Sequence, residues 1–173
     1  MARMTLNMLA GVMMTMAPVG STYAGDSRVR TDNPALAAVI QDGIRRSATF
    51  RGIVEAIDAS DGIVFVEQGR CGHGVRACLA LSVKQAGPNR LLRVVVDVRK
   101  PDWDLIGSIG HELYHAVEVL SDPSVRSNGA IYLFYRRAGE TSGDRFETPA
   151  AINAGDAVRG EARHGHDTPG GER

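Results

Sequence analysis

The stretch DWDLIGSIGHELYHAVEVL, residues 102–120, organises the reading of the whole chain. Leu105, Ile109, Leu113, Ala116, Val117 and Leu120 recur at the spacing of an amphipathic helix, so one long helix is expected from about 102 to 120. Gly107 and Gly110 lower its intrinsic propensity and point to close packing against a neighbour. Within it, Gly110-His111-Glu112-Leu113-Tyr114-His115 spells H-E-x-x-H. That pattern makes chemical sense only on a helix, where His111 and His115 stand one above the other and can offer two imidazole nitrogens to one Zn²⁺. Glu112, about 100° further round the axis, can act on a water at that ion without ligating it. Zinc lowers the pKa of such a water toward ~7, Glu112 takes its proton as general base during attack on a carbonyl, and the proton later passes to the leaving amine. A metal-free structural helix would leave two stacked histidines unexplained.

Before this helix come two shorter ones and three strand-like runs. Leu36, Val39, Ile40 and Ile44 mark the first helix, with Asn33 as cap and Pro34 at its first position. Phe50, Ile53, Val54 and Ile57 mark the second, from about 47 to 62. Strands are expected at 63–67, 78–83 and 91–98, with a hairpin turn at Gly87-Pro88-Asn89 and a loose arm over 25–32. Beyond the H-E-x-x-H helix, Asp122-Pro123 reads as the cap and first residue of a helix that stops at Gly139. A polar loop at 139–145 and a last helix at about 147–162, with Pro149 in its first turn, complete the pattern. The expected class is α+β: two N-terminal helices, a three-stranded antiparallel or mixed sheet, the H-E-x-x-H helix and two further helices.

Composition narrows the setting. The chain has 173 residues, with 20 Lys+Arg against 20 Asp+Glu. Zero net charge supplies no basic surplus for nucleic acid or an anionic membrane surface, and this length suggests one domain. All six methionines fall within the first sixteen positions, in an apolar run that follows Arg3 and leads to Ser21-Thr22-Tyr23-Ala24. Residues 1–24 therefore read as a secretory signal cleaved after Ala24, too short and interrupted to hold the chain in a bilayer. A secreted or periplasmic domain over 25–162 and a disordered Gly-rich tail over 163–173 follow. In an oxidising compartment Cys71 and Cys78, the only cysteines, are expected to form a disulfide; C-x6-C is not a usual zinc spacing.

With His111, Glu112 and His115 matching its motif, the chain resembles the zincin metallopeptidases. The resemblance implies a small twisted sheet above the motif helix, an edge strand aligning an extended peptide or protein substrate, and a third zinc ligand from later in the chain. The metzincin branch requires Gly at 118 and His at 121, where this chain has Glu118 and Ser121. Glu118 lies near the limit of reach and suits an acceptor behind the histidines, or a polar edge residue, better than a ligand. Glu147, on a following segment, is similar to the Glu that completes the gluzincin site, and is the preferred third ligand. Glu118, Glu140, Asp144 and Asp156 remain alternatives. The implied function is a zinc-dependent hydrolase, a peptidase with Glu112 as general base; the alternative is a secreted zincin-like domain that binds metal or a partner without turnover. No oxyanion donor is nominated among Tyr132, Tyr135, Arg136 and His73.

Overall fold

The computed structural model describes residues 27–72, 74–138, 140–142 and 145–167; the expected leader, 1–24, lies outside them. Asn33 starts α1 (Pro34–Arg46) as foreseen, its side chain accepting from the amides of Ala35 and Leu36 while Pro34 fills a position that needs no donor. Ser47 ends α1 and caps α2 (Ala48–Asp58), its Oγ accepting from Phe50 N at 2.9 Å.

The sheet is larger than the expected three strands. It comprises β1 (Val29–Arg30), β2 (Gly62–Gln68), β3 (Ala77–Leu79), β4 (Lys84–Ala86) and β5 (Asn89–Val96), in the order β1-β2-β5-β3, with β4 also on β5. It is mixed: β1 and β2 run parallel to their neighbours, β3 and β4 antiparallel to β5. Val64 and Val66 of β2 register with Leu92 and Val94 of β5, and all four are buried on the face the helices cover. β1 lies within what reads as a loose arm. The expected strand 78–83 is broken: after Ala80 N donates to Arg93 O at 2.8 Å, residues 81–83 leave the ladder, and pairing resumes at Lys84↔Leu91. This bulge sets three residues against Leu92 alone and turns Leu81 out of the sheet.

The helix that carries H-E-x-x-H is α3 (Trp103–Ser121), capped by Asp102, whose carboxylate accepts from Leu105 N at 2.9 Å. Its other end is closed by a residue from the sheet. Arg90 of β5, only 1% exposed, donates to the carbonyls of Val119, Leu120, Asp122 and Val125, and its guanidinium is held by Asp61 at 2.6 Å. Carbonyls orphaned at a helix terminus thus receive a charged donor.

Three later expectations are corrected. Helix α4 (Asn128–Ala138) begins at Asn128 rather than Pro123, because Asp122 Oδ1 accepts from Ser124 N at 2.9 Å and makes a turn, not a cap. The polar loop contains an antiparallel pair, β6 (Glu140–Ser142) and β7 (Arg145–Glu147), so Glu147 ends a strand instead of opening a helix. Helix α5 (Pro149–Asp167) runs past 162 into the expected tail. Its cap is Thr148, whose Oγ1 accepts from Ala151 N at 3.1 Å.

The glycines of α3 do mark close packing. A Cβ on Gly110 would lie 2.9 Å from Val158 Cγ2, one on Gly107 2.9 Å from Arg159 Cβ, and one on Gly155 of α5 2.8 Å from His111 Cβ. The two helices approach on hydrogen atoms, which brings the start of α5 beside the histidines.

Candidate metal and catalytic centre

Helix geometry stacks the two histidines, with ring centroids 4.7 Å apart and planes at 85°. Glu147 arrives at the end of β7, one residue before the cap of α5, and its Oε2 lies 2.9 Å from His111 Nε2 and 3.7 Å from His115 Nε2. One ligand atom from each of the three residues falls within 4.8 Å of the others. The preferred sequence candidates are thus brought together.

His115 Nε2 and Glu147 Oε2 are buried and make no hydrogen bond among the described residues. Buried polar atoms are rarely left so, since each orphan costs about 1–3 kcal/mol. His115 Nδ1, by contrast, is 2.8 Å from Glu118 Oε2, an acceptor that keeps a proton on Nδ1, so that it is Nε2 whose lone pair faces the centre once the ring is neutral. Two imidazole nitrogens and one carboxylate oxygen form a donor set that suits zinc with a coordination position to spare. The residues fit the metal that the motif implies.

Glu112 stands beside the cluster, Oε1 at 4.0 Å from His111 Nε2. Its other oxygen accepts from the backbone N–H of Leu79 at 2.7 Å, so the edge strand grips the carboxylate and sets its direction. Burial pushes the Glu112 carboxyl up from its ordinary value, against the opposing pull of His111, His115 and the Leu79 amide. Glu147 is driven the other way, to about 2, by His111 and then His115. For His115, burial opposes the charged ring, but Glu118 and Glu147 outweigh it and raise the value to about 9.

Glu118 serves as the acceptor behind His115 and also takes a hydrogen bond from Thr148 Oγ1 at 2.6 Å. Asp156 is exposed and pairs with Arg159; the side chain of Glu140 and all of Asp144 lie outside the described residues. Tyr135 is buried and donates its hydroxyl to His115 O at 2.9 Å, and burial pushes its phenol up so that it stays a donor. Tyr132 is 44% exposed and meets Phe146 edge to face. Arg136 is exposed, and His73 lies outside the described residues.

No known protein family, curated protein or solved structure matches this chain. The site therefore speaks through its own chemistry. Sequence reasoning missed two contributors, the Leu79 amide and the Thr148 hydroxyl. The first is a backbone group and carries no residue signal; the second was legible as a Thr directly before Pro149, the usual place for a cap. A cavity of about 200 Å³ opens onto Glu112, His115 and Glu147, and the Cys71–Cys78 disulfide borders it. Among the described residues no helix is long and apolar enough to cross a membrane.

Proposed function

We propose that the protein is a secreted zinc-dependent hydrolase that cleaves peptide bonds, with His111, His115 and Glu147 holding the metal and Glu112 as general base. The observation that carries this reading is the convergence of the three donor atoms on one point, with Glu112 aimed beside it by a backbone amide. Zinc held there supplies Lewis-acid polarisation of a substrate carbonyl and acidifies water toward neutral pH.

The chain's own residues do the rest. Glu118 keeps His115 in the tautomer that presents Nε2 to the centre. Glu112 keeps one oxygen on the Leu79 amide, which leaves the other to receive a proton and deliver it to the leaving amine. Tyr135, by bonding the His115 carbonyl, fixes the backbone turn that carries the second histidine. The leader expected over 1–24 and the Cys71–Cys78 bridge support export.

Zinc content by elemental analysis on wild type, His115→Ala and Glu147→Ala is the first test. About one zinc per chain in wild type, lost or reduced in the two variants, is expected. Glu112→Gln should keep its zinc yet fail to cleave an unfolded protein substrate. A wild type that takes up no zinc would overturn the proposal, whereas bound zinc without cleavage of any peptide would favour the non-catalytic binding domain.

A further inference from the structure

Strand β3 is a short edge of the sheet, yet it carries the amide that directs Glu112. Its residues, Ala77–Leu79, pair on one side only, with β5. Arg76 O accepts from Asp97 N and Ala80 N donates to Arg93 O, each at 2.8 Å, so alternate groups of this segment face β5. The Leu79 amide falls between them in the alternation, faces the open edge, and meets Glu112 at 2.7 Å. The flanks of the strand are loosely built. Residues 69–74 before it hold three glycines, and Gly72 and Gly74 sit at φ 78° and 73°, where an added Cβ would meet nothing within 4 Å. After it comes the bulge at 81–83, where the ladder is interrupted.

Two connections steady the start of β3. Arg76 donates to Asp102 Oδ1 at 2.6 Å and to the Lys100 carbonyl, which ties the loop to the cap of α3, but the ion pair is partly exposed and such pairs hold weakly. The other connection is covalent: Cys78, the residue before Leu79, is bridged to Cys71. The bridge closes a ring across the two glycines at positive φ, and so removes the backbone freedom they would otherwise pass to the strand. Beside that ring Gly69 N donates to Val96 O at 2.9 Å, while Cys78 registers with Val95, so both of its ends rest on β5. Both cysteines are partly exposed and border the cavity, within reach of a small reagent. The proposed metal donors, His111, His115 and Glu147, belong to α3 and β7 and lie outside the ring and outside β3.

We infer that the Cys71–Cys78 disulfide is a positioning element: it holds β3 where the Leu79 amide stays on Glu112, so that forming the bridge completes the proposed general base. The two thiols give two electrons and two protons to a disulfide-bearing oxidant. One cysteine thiolate attacks a sulfur of the oxidant and expels the other half as a thiol; the second cysteine then displaces the mixed disulfide, which joins Cys71 to Cys78 and releases the remaining half as a second thiol. The dithiol form of the chain keeps its metal donors and cleaves slowly. Cutting power thus arrives in the oxidising compartment that the expected leader points to. The inference rests on the hydrolase reading for its effect on turnover, and on the bridge, β3 and Glu112 alone for the placement of the amide.

Two measurements on the full chain test it. First, amide hydrogen exchange is followed by NMR in the zinc-free protein: wild type, wild type reduced with a water-soluble phosphine, and Cys71→Ser/Cys78→Ser. Leu79 should exchange about 10-fold faster or more without the bridge, while Val94, registered with Val66 of β2, stays protected. An unchanged Leu79 would overturn the inference, and so would a Val94 that loosens equally, because the bridge would then hold nothing or the whole fold. Neither outcome depends on whether the protein is a hydrolase. Second, cleavage of a cysteine-free unfolded protein is measured with zinc supplied. Loss of the bridge should lower kcat about 10-fold or more at unchanged zinc content, with KM nearly unchanged. Once the phosphine is removed, glutathione disulfide should restore the reduced wild type and leave the double variant as it was. Equal kcat with and without the bridge would overturn the positioning role. Failure of the oxidised protein to cleave any peptide would instead count against the hydrolase reading, with Leu79 exchange still deciding what the bridge holds.

Discussion

Thr148 and His115 share one carboxylate: Glu118 accepts from the Thr148 hydroxyl at 2.6 Å with one oxygen and meets His115 Nδ1 at 2.8 Å with the other. Because Thr148 directly follows Glu147, this links the two segments that supply the proposed metal donors. Glu118→Ala should weaken zinc binding about 10- to 100-fold, read by competition with a chelator of known affinity, while leaving the fold intact. Thr148→Val should cost about 1 kcal/mol of stability through loss of the α5 cap and weaken zinc by a smaller factor. Unchanged zinc affinity in both variants would remove Glu118 from any role at the centre.

Gly155 is the place where adding one methyl should be felt at the proposed metal donors. Its Cβ would fall 2.8 Å from His111 Cβ, so Gly155→Ala must push α5 away or turn His111. Overpacking of this kind costs about 1–3 kcal/mol, and chemical denaturation measures it. Zinc uptake should fall in the same variant. Gly160, whose Cβ would meet nothing within 4 Å, is the control: Gly160→Ala should stabilise the helix slightly.

Acid stability should depend on the pair that closes α3. The Arg90 guanidinium bonded to Asp61, opposed by some burial, holds the Asp61 carboxyl below its ordinary value of 3.8. A depressed folded-state value means the stabilisation is present above the unfolded value and is lost as pH falls through the folded one. Asp61→Asn should therefore be less stable than wild type at pH 6, with the gap narrowing as pH falls below 3.8. A gap that stays constant between pH 6 and pH 2 would show that ionisation of Asp61 contributes nothing.

Metal should stabilise the fold by mass action. If His115 and Glu147 are donors, zinc at ~1,000 times its Kd adds about 4 kcal/mol to wild type, seen as a rise in Tm, and nothing comparable to the His115→Ala/Glu147→Ala double variant. Chelation should reverse the rise.

Much of this arrangement was legible along the chain wherever one residue type has a strong local meaning. Asn33-Pro34, the glycines of α3, Cys71 with Cys78 and the H-E-x-x-H spacing each fix a cap, a contact, a bridge or a face by themselves. What escaped was set by pairing between distant backbones. Val29-Arg30 is too short for any period and becomes a strand only because β2 lies beside it. The β6–β7 pair is polar and shows no alternation to read. The run from Cys78 to Val83 looks continuous, yet its register against β5 breaks at Leu92. Asp122-Pro123 carries the composition of a cap, and only the position of the Ser124 amide shows it is a turn.

The grip of the Leu79 amide on Glu112 makes the site sensitive to how the sheet was assembled. Successive amides on a strand point to opposite sides, so a slip of β3 by one residue against β5 would take the Leu79 amide away from the carboxylate and reverse the faces of the strand's side chains. A molecule folded into the wrong register could then keep most of its core and both histidines and still be inert. Such a chain would report its own folding fidelity, since only copies with every strand in step would have the proposed general base in place.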